Sequence, residues 1–99
     1  MIAVIGTFRL PPQRVADALP AIREVIEATL QEPGCRAYSY AEDVAEPGLF
    51  RVTEIWDSRE ALKAHFTTAH MRRWAETRVA LGFSDREISL FPLGPGEGL

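Results

Sequence analysis

The sequence predicts an α+β domain in which helices cover one face of an antiparallel sheet. Three observations predict it. Ile2–Leu10 and Leu49–Trp56 alternate with the period of two expected of half-buried strands. Between them, Val15, Leu19, Ile22, Ile26 and Leu30 step by threes and fours, the spacing of an amphipathic helix. Proline and glycine punctuate the ends of these stretches, at Pro11-Pro12, Pro33-Gly34, Pro47-Gly48 and Gly82.

In order, Ile2, Val4 and Phe8 fall on one face of the first strand, with Ala3, Ile5 and Thr7 on the other. Pro11-Pro12 ends it, because proline cannot donate to a ladder. The first helix runs from Gln13 to Leu30, and Pro20 should kink it or begin a second segment. Glu32-Pro33-Gly34 closes the helix with a turn. Cys35–Glu42 alternates small residues with Arg36, Tyr38 and Tyr40. This reads as a strand whose small face (Cys35, Ala37, Ser39, Ala41) leaves room for something else. Asp43–Gly48 turns the chain into the hairpin partner, which places Phe50, Val52, Glu54 and Trp56 on one face.

Asp57 followed by Glu60 has the form of a capping box and should start the second helix. Its buried stripe is Ala61, Leu62, His65 and Phe66. Thr67-Thr68 breaks that helix and caps another, with Met71, Trp74, Ala75 and Arg78 on the inner side. Gly82 ends it, and Asp85–Phe91 alternates as the last strand. The order β-α-β-β-α-β, with its second helix broken in two, matches the ferredoxin-like arrangement. Residues 2–91 form the single domain, and 92–99, rich in glycine and proline, form a loose tail. One sheet face is left uncovered and partly apolar. A second copy of the same sheet is the simplest cover, so a homodimer is expected.

Composition narrows the function. A chain of 99 residues holds one core, and its 46% hydrophobic and 25% charged content is that of a soluble globule. A net charge of −3, with Arg72-Arg73 the only adjacent basic pair, argues against nucleic acid as a partner. No apolar run approaches the ~20 residues of a membrane span, and the N-terminus reads as a strand rather than a signal peptide. The single cysteine, Cys35, suits a reducing cytoplasm and reads as a small buried apolar residue. No glycine pattern for nucleotide binding is present. His70 follows His65 by five residues, about 140° around a continuous helix. Without a third clear ligand, no metal site is expected.

The one pairing suited to proton chemistry is Glu54, mid-strand, with His65, roughly two helical turns into the next element. Three segments in register carry a resemblance that bears on it. They are Glu32-Pro33-Gly34-Cys35 followed by Tyr38, the pair Glu54 and Trp56, and Ala61-Leu62-Lys63-Ala64-His65-Phe66 with His70 beyond. Together, from Ile2 to about Phe91, they resemble the antibiotic biosynthesis monooxygenase domain, which includes small quinol monooxygenases. The resemblance implies a dimeric α/β barrel of ferredoxin-like units, a pocket between sheet and helices, and oxygenation without metal, flavin or haem. The haem-degrading branch is less similar, since its Asn, Trp and axial His fall here on Thr7 or Phe8, His65 and Ala75.

With that resemblance the leading expectation is a cofactor-independent monooxygenase that oxidises a quinol or polycyclic phenol with O2. Deprotonation makes such a substrate a far better electron donor to triplet oxygen. The chemistry needs a base near neutral pKa in a sheltered apolar cavity. His65 is the expected base. Glu54 is expected to orient it, or to act as base itself if burial raises its own pKa. Trp56, Phe66 and Trp74 are expected as apolar walls, Tyr38 as a hydroxyl donor, and His70 as a further substrate contact. Two other readings compete: an isomerase moving a proton beside a carbonyl, and a non-catalytic dimeric module binding an apolar ligand with His65 and Glu54 in structural bonds.

Overall fold

The computed structural model describes residues 1–99. Strand β1 (Ile2–Arg9) leads through a 3-10 turn at Pro12–Arg14 into helix α1 (Val15–Leu30). The β2 (Cys35–Glu42) and β3 (Leu49–Trp56) hairpin follows, then α2 (Arg59–His65), α3 (Ala69–Leu81) and β4 (Ser84–Pro92). The four strands form one antiparallel sheet in the order β2-β3-β1-β4. This is the α+β, ferredoxin-like fold that the alternating segments predict.

Local differences have local causes. Helix α1 continues through Pro20 without a break. Its buried row is Ala18, Ile22, Val25 and Thr29, at the i, i+4, i+7, i+11 spacing of one helix face. Leu30, expected inside, is the last helical residue and is 45% exposed. The cap of α2 is Ser58, whose hydroxyl accepts the Ala61 N–H, rather than Asp57. Asp57 is engaged elsewhere, by the Arg36 guanidinium. Thr68 caps α3 by accepting the Met71 N–H, and its own hydroxyl donates to the His65 carbonyl at 2.8 Å. The break between α2 and α3 is thus held by specific bonds. Ala75, expected on the inner side of α3, faces solvent.

Register sorts the side chains by face. Tyr38, Glu54, Val4 and Leu90 stand in one row across the sheet, with Tyr40, Val52, Gly6 and Ile88 in the next. This face meets the helices. One apolar cluster there joins Phe8, Phe50, Val52 and Trp74 to Ala18, Ile22 and Val25, and a second joins Ile2, Val4, Tyr38, Trp56 and Leu62. Phe8 stacks on Phe50 and Phe83 with ring centres 5.2 and 4.5 Å apart. At Gly6, β4 passes so close that a Cβ would lie 2.1 Å from the Glu87 carbonyl oxygen, so only glycine fits.

The small-residue face of β2 does not open into the cavity. Ala37 and Ser39 alternate with the inward tyrosines and so face away, and Cys35, ahead of a bulge, packs on the edge of the second cluster. On the uncovered face, Ala37, Ile55, Ala3 and Phe91 align in a single apolar row. Ile5 and Phe91 on that face are each 48% exposed. No helix is long and apolar enough to cross a membrane.

Candidate active site

A cavity of about 390 Å³ lies between the helix-covered face of the sheet and helices α2 and α3. That volume falls within the usual range for small-molecule sites, roughly 300–1,000 Å³. Tyr38, Tyr40 and Glu54 line it from β2 and β3, and His65 and Phe66 from the end of α2. Trp74 and Arg78 line it from α3, and Arg86 from β4.

His65 is 1% exposed. Its Nδ1 is 2.7 Å from Oε2 of Glu32, and the same oxygen is 2.7 Å from Nε2 of His70. A carboxylate only accepts, so both ring nitrogens carry hydrogen and donate to it. The His65 Nε2 is left without a protein partner, on a ring that lines the cavity. Burial lowers the His65 pKa below the ordinary imidazole value; the Glu32 hydrogen bond and charge oppose that, and His70 adds to it. The ring is therefore neutral at pH 7, with an anion placed to stabilise the imidazolium once it forms.

Glu32 reaches this position because of the turn that follows it. Gly34 has φ +82, and a Cβ there would lie 2.7 Å from the Ala61 Cβ. Its carbonyl accepts the Asp57 N–H at 2.8 Å, clamping the turn against the start of α2. Nothing in the periodicity of the chain marks Glu32. The available signal is its place in Glu32-Pro33-Gly34-Cys35, one of the segments that carry the family resemblance.

Glu54 is not the partner of His65. Its Oε1 accepts the indole Nε1–H of Trp56 at 2.9 Å, a bond between side chains on one strand face. Burial raises the Glu54 pKa, opposed by the Trp56 hydrogen bond and the Arg86 charge. Trp56 is fully buried behind this bond and does not line the cavity. His70 is turned toward Glu32 and a smaller cleft between α1 and α3, so it is not a cavity wall. Tyr38, Phe66 and Trp74 do line the cavity; Phe66 is 55% exposed, at the mouth.

Tyr40 is a lining residue that the sequence reading left out. Its hydroxyl is 2.8 Å from that of Tyr38. Burial pushes both phenol pKa values upward, so both keep their protons. One hydroxyl donates to the other, which leaves the second hydrogen free for an oxygen atom in the cavity. Cys35 is held as a thiol, its pKa pushed up to about 11 by burial and the nearby Glu32 and Glu54 charges.

The third ligand that the sequence seemed to lack is present: Glu32, His65 and His70 hold ligand atoms all within 4.8 Å of one another. Two ligands on a tetrahedral ion at about 2.0–2.1 Å stand about 3.3 Å apart. The 2.7 Å separations are those of charge-assisted hydrogen bonds instead. As they stand, the three side chains share hydrogen bonds.

Comparison with known proteins agrees with this architecture. The family model for antibiotic biosynthesis monooxygenase matches residues 1–77. An uncharacterized protein of Synechocystis is 30% identical over 98 residues, which span 99% of this chain and 67% of that one. A candidate antibiotic biosynthesis monooxygenase from Deinococcus radiodurans superposes with a TM-score of 0.91 at 26% identity, over 100% of this chain and 98% of the other. The crystal structure of another antibiotic biosynthesis monooxygenase gives 0.86 at 35% identity, over 96% and 100%. The chain belongs to the antibiotic biosynthesis monooxygenase family.

Proposed function

We propose that the protein is a monooxygenase that oxidises a quinol or similar polycyclic phenol without a bound cofactor, with His65 as the base. The observation that carries this reading is the buried imidazole that lines the cavity, with Nδ1 tied to Glu32 and Nε2 unpartnered. His65 Nε2 takes the proton of a bound hydroxyl, and Glu32 stabilises the resulting imidazolium. The free tyrosine hydrogen donates to the phenolate or to a reduced oxygen atom. For a quinol, one atom of O2 enters the ring and the other leaves as water. The four electrons come from the substrate, which ends as a hydroxyquinone. Apolar walls at Phe8, Leu62, Trp74 and Ile88 limit access of water to the reactive anion.

The test is oxygen uptake with 1,4-naphthohydroquinone, corrected for autoxidation. His65→Ala is expected to lower the enzymatic rate by about 10²–10⁴-fold, the usual contribution of a positioned base. A rate unchanged by that substitution removes His65 from the role. Product that still forms without oxygen would instead indicate proton transfer alone, as in an isomerase.

The apolar row on the uncovered sheet face supports a homodimer as the working form. Ile5→Asp sets a charge in the middle of that face. It is expected to convert a dimer to monomer by light scattering, whereas a wild-type monomer at micromolar concentration would defeat the idea. The single cysteine, held as a thiol, is compatible with a reducing compartment such as the cytoplasm.

A further inference from the structure

Two guanidinium groups face the same cavity from opposite walls. Arg78 lies four residues after Trp74 and seven after Met71, so it shares the inward face of α3. Arg86 alternates with Ile88 and Leu90, the β4 residues that pack on the core, and therefore stands on the helix-covered face. Local pattern calls for an apolar residue at both positions, and arginine occupies both.

The strand is shaped to present the second of them. Thr7 pairs with Glu87 and Arg9 with Ser84, so Asp85 and Arg86 together oppose the single residue Phe8. Asp85 takes φ +53 at this bulge. Bulges of this kind redirect side chains and recur beside functional sites.

Neither arginine makes salt-bridge contact with a carboxylate. The close acid–base contacts are five made by other arginines and two made by His65 and His70 with Glu32, and none includes Arg78 or Arg86. The two carboxylates lining the cavity take their hydrogen bonds elsewhere, Glu54 from Trp56 and Asp85 from the Ser84 hydroxyl at 2.9 Å, and Glu54 feels the Arg86 charge without contacting it. Burial, and then the Arg86 charge, bring the Arg78 pKa down. Two like charges set toward one hollow repel each other, and an anionic ligand between them relieves that repulsion.

We infer that the α3–β4 end of the cavity, formed by Arg78 and Arg86, is a subsite for an oxyanion, and that the ligand is an aromatic molecule carrying a carboxylate or a similar acidic group. This deepens the proposed function by naming the substrate class. It rests on that reading only for which end reacts: the acidic group sits between the arginines, and the ring hydroxyl points toward His65 and the Tyr38–Tyr40 pair. A guanidinium fork matches a planar carboxylate in shape as well as charge.

The test measures binding, which needs neither oxygen nor turnover. Calorimetry on the full chain compares 6-hydroxy-2-naphthoate, whose hydroxyl and carboxylate stand at opposite ends of the ring system, with 2-naphthol, its uncharged counterpart. The anion is expected to bind at least about tenfold more tightly at low salt, and the advantage should shrink as ionic strength rises. Arg86→Gln and Arg78→Gln should each remove most of that advantage while naphthol affinity stays within about twofold; Arg78→Lys, which keeps the charge, should retain part of it. Equal affinity for the two probes, or a preference for the anion that survives Arg86→Gln and Arg78→Gln, overturns the subsite. If Arg78→Gln does not fold, Arg86→Gln and the salt dependence decide. Anion binding without oxygen uptake would leave the subsite standing and remove the oxygenase reading; uptake without anion preference would do the reverse.

Discussion

Glu32 and Glu54 are both shielded carboxylates near the cavity, and the fold uses them in opposite ways. Glu32 comes from a turn and receives two ring N–H groups on one oxygen. Glu54 stands in mid-strand, receives one indole N–H, and faces the cavity itself. The first, with two donors on one oxygen, stands directly against His65. The second is short of donors, and burial drives it toward the protonated form. What decides the role of a buried acid here is the number of N–H groups aimed at it, not its distance along the chain from the histidine.

The contrast can be broken by neutralising each acid. Glu32→Gln gives the largest effect, because an amide cannot stabilise the His65 imidazolium. Turnover should fall by roughly 10- to 100-fold, and the acid limb of the pH–rate profile should move to lower pH as the Glu32 charge and hydrogen bond are lost. An unmoved limb would mean that Glu32 does not act on the base.

Glu54→Gln should instead show in stability. The folded-state pKa of Glu54 is raised, so the unfolded chain releases that proton first as pH rises above the ordinary carboxylate range. Stability is therefore lost with rising pH through that window. The amide keeps an acceptor for Trp56 and removes the charge. Melting at pH 7 should rise, by about 4–8 °C for each kcal/mol recovered in a domain of this size. The gain should vanish near pH 4. A variant that melts lower at pH 7 would show that the Glu54 charge is better satisfied than its single donor suggests.

The smallest effect is at His70. Its charge lowers the His65 pKa, and glutamine retains a donor for Glu32 without that charge. His70→Gln should move the acid limb slightly to higher pH, opposite in sign to Glu32→Gln. A shift in the same direction would indicate that His70 only props the carboxylate.

Strand alternation and helical spacing made the sheet, its helix-covered face and the inward position of His65 legible in the sequence. The break at Thr67-Thr68 was legible as well, because paired threonines cap helices. The partner of His65 was not. Periodic pattern assigns faces within an element, and Glu32 belongs to none; its approach to His65 depends on the Gly34 turn packing on Ala61, a contact between segments distant in sequence. For the same reason Tyr40 was left out of the site and the small face of β2 could not be assigned, since alternation separates two faces without saying which one opens on the cavity. Arg78 was legible as an inward residue of α3, but its lack of a salt-bridge contact is a property of the assembled cavity.

The interrupted helix has a further consequence. On one uninterrupted helix the two imidazoles would point about 140° apart and could not share an oxygen. The Thr67-Thr68 joint uncouples their rotation, so a single residue gained or lost there would re-aim the α3 side chains relative to those of α2 while every strand pairing stayed in place. Proton affinity at one end of the cavity and ligand charge at the other are thus adjustable through one short connector, on a sheet that need not change.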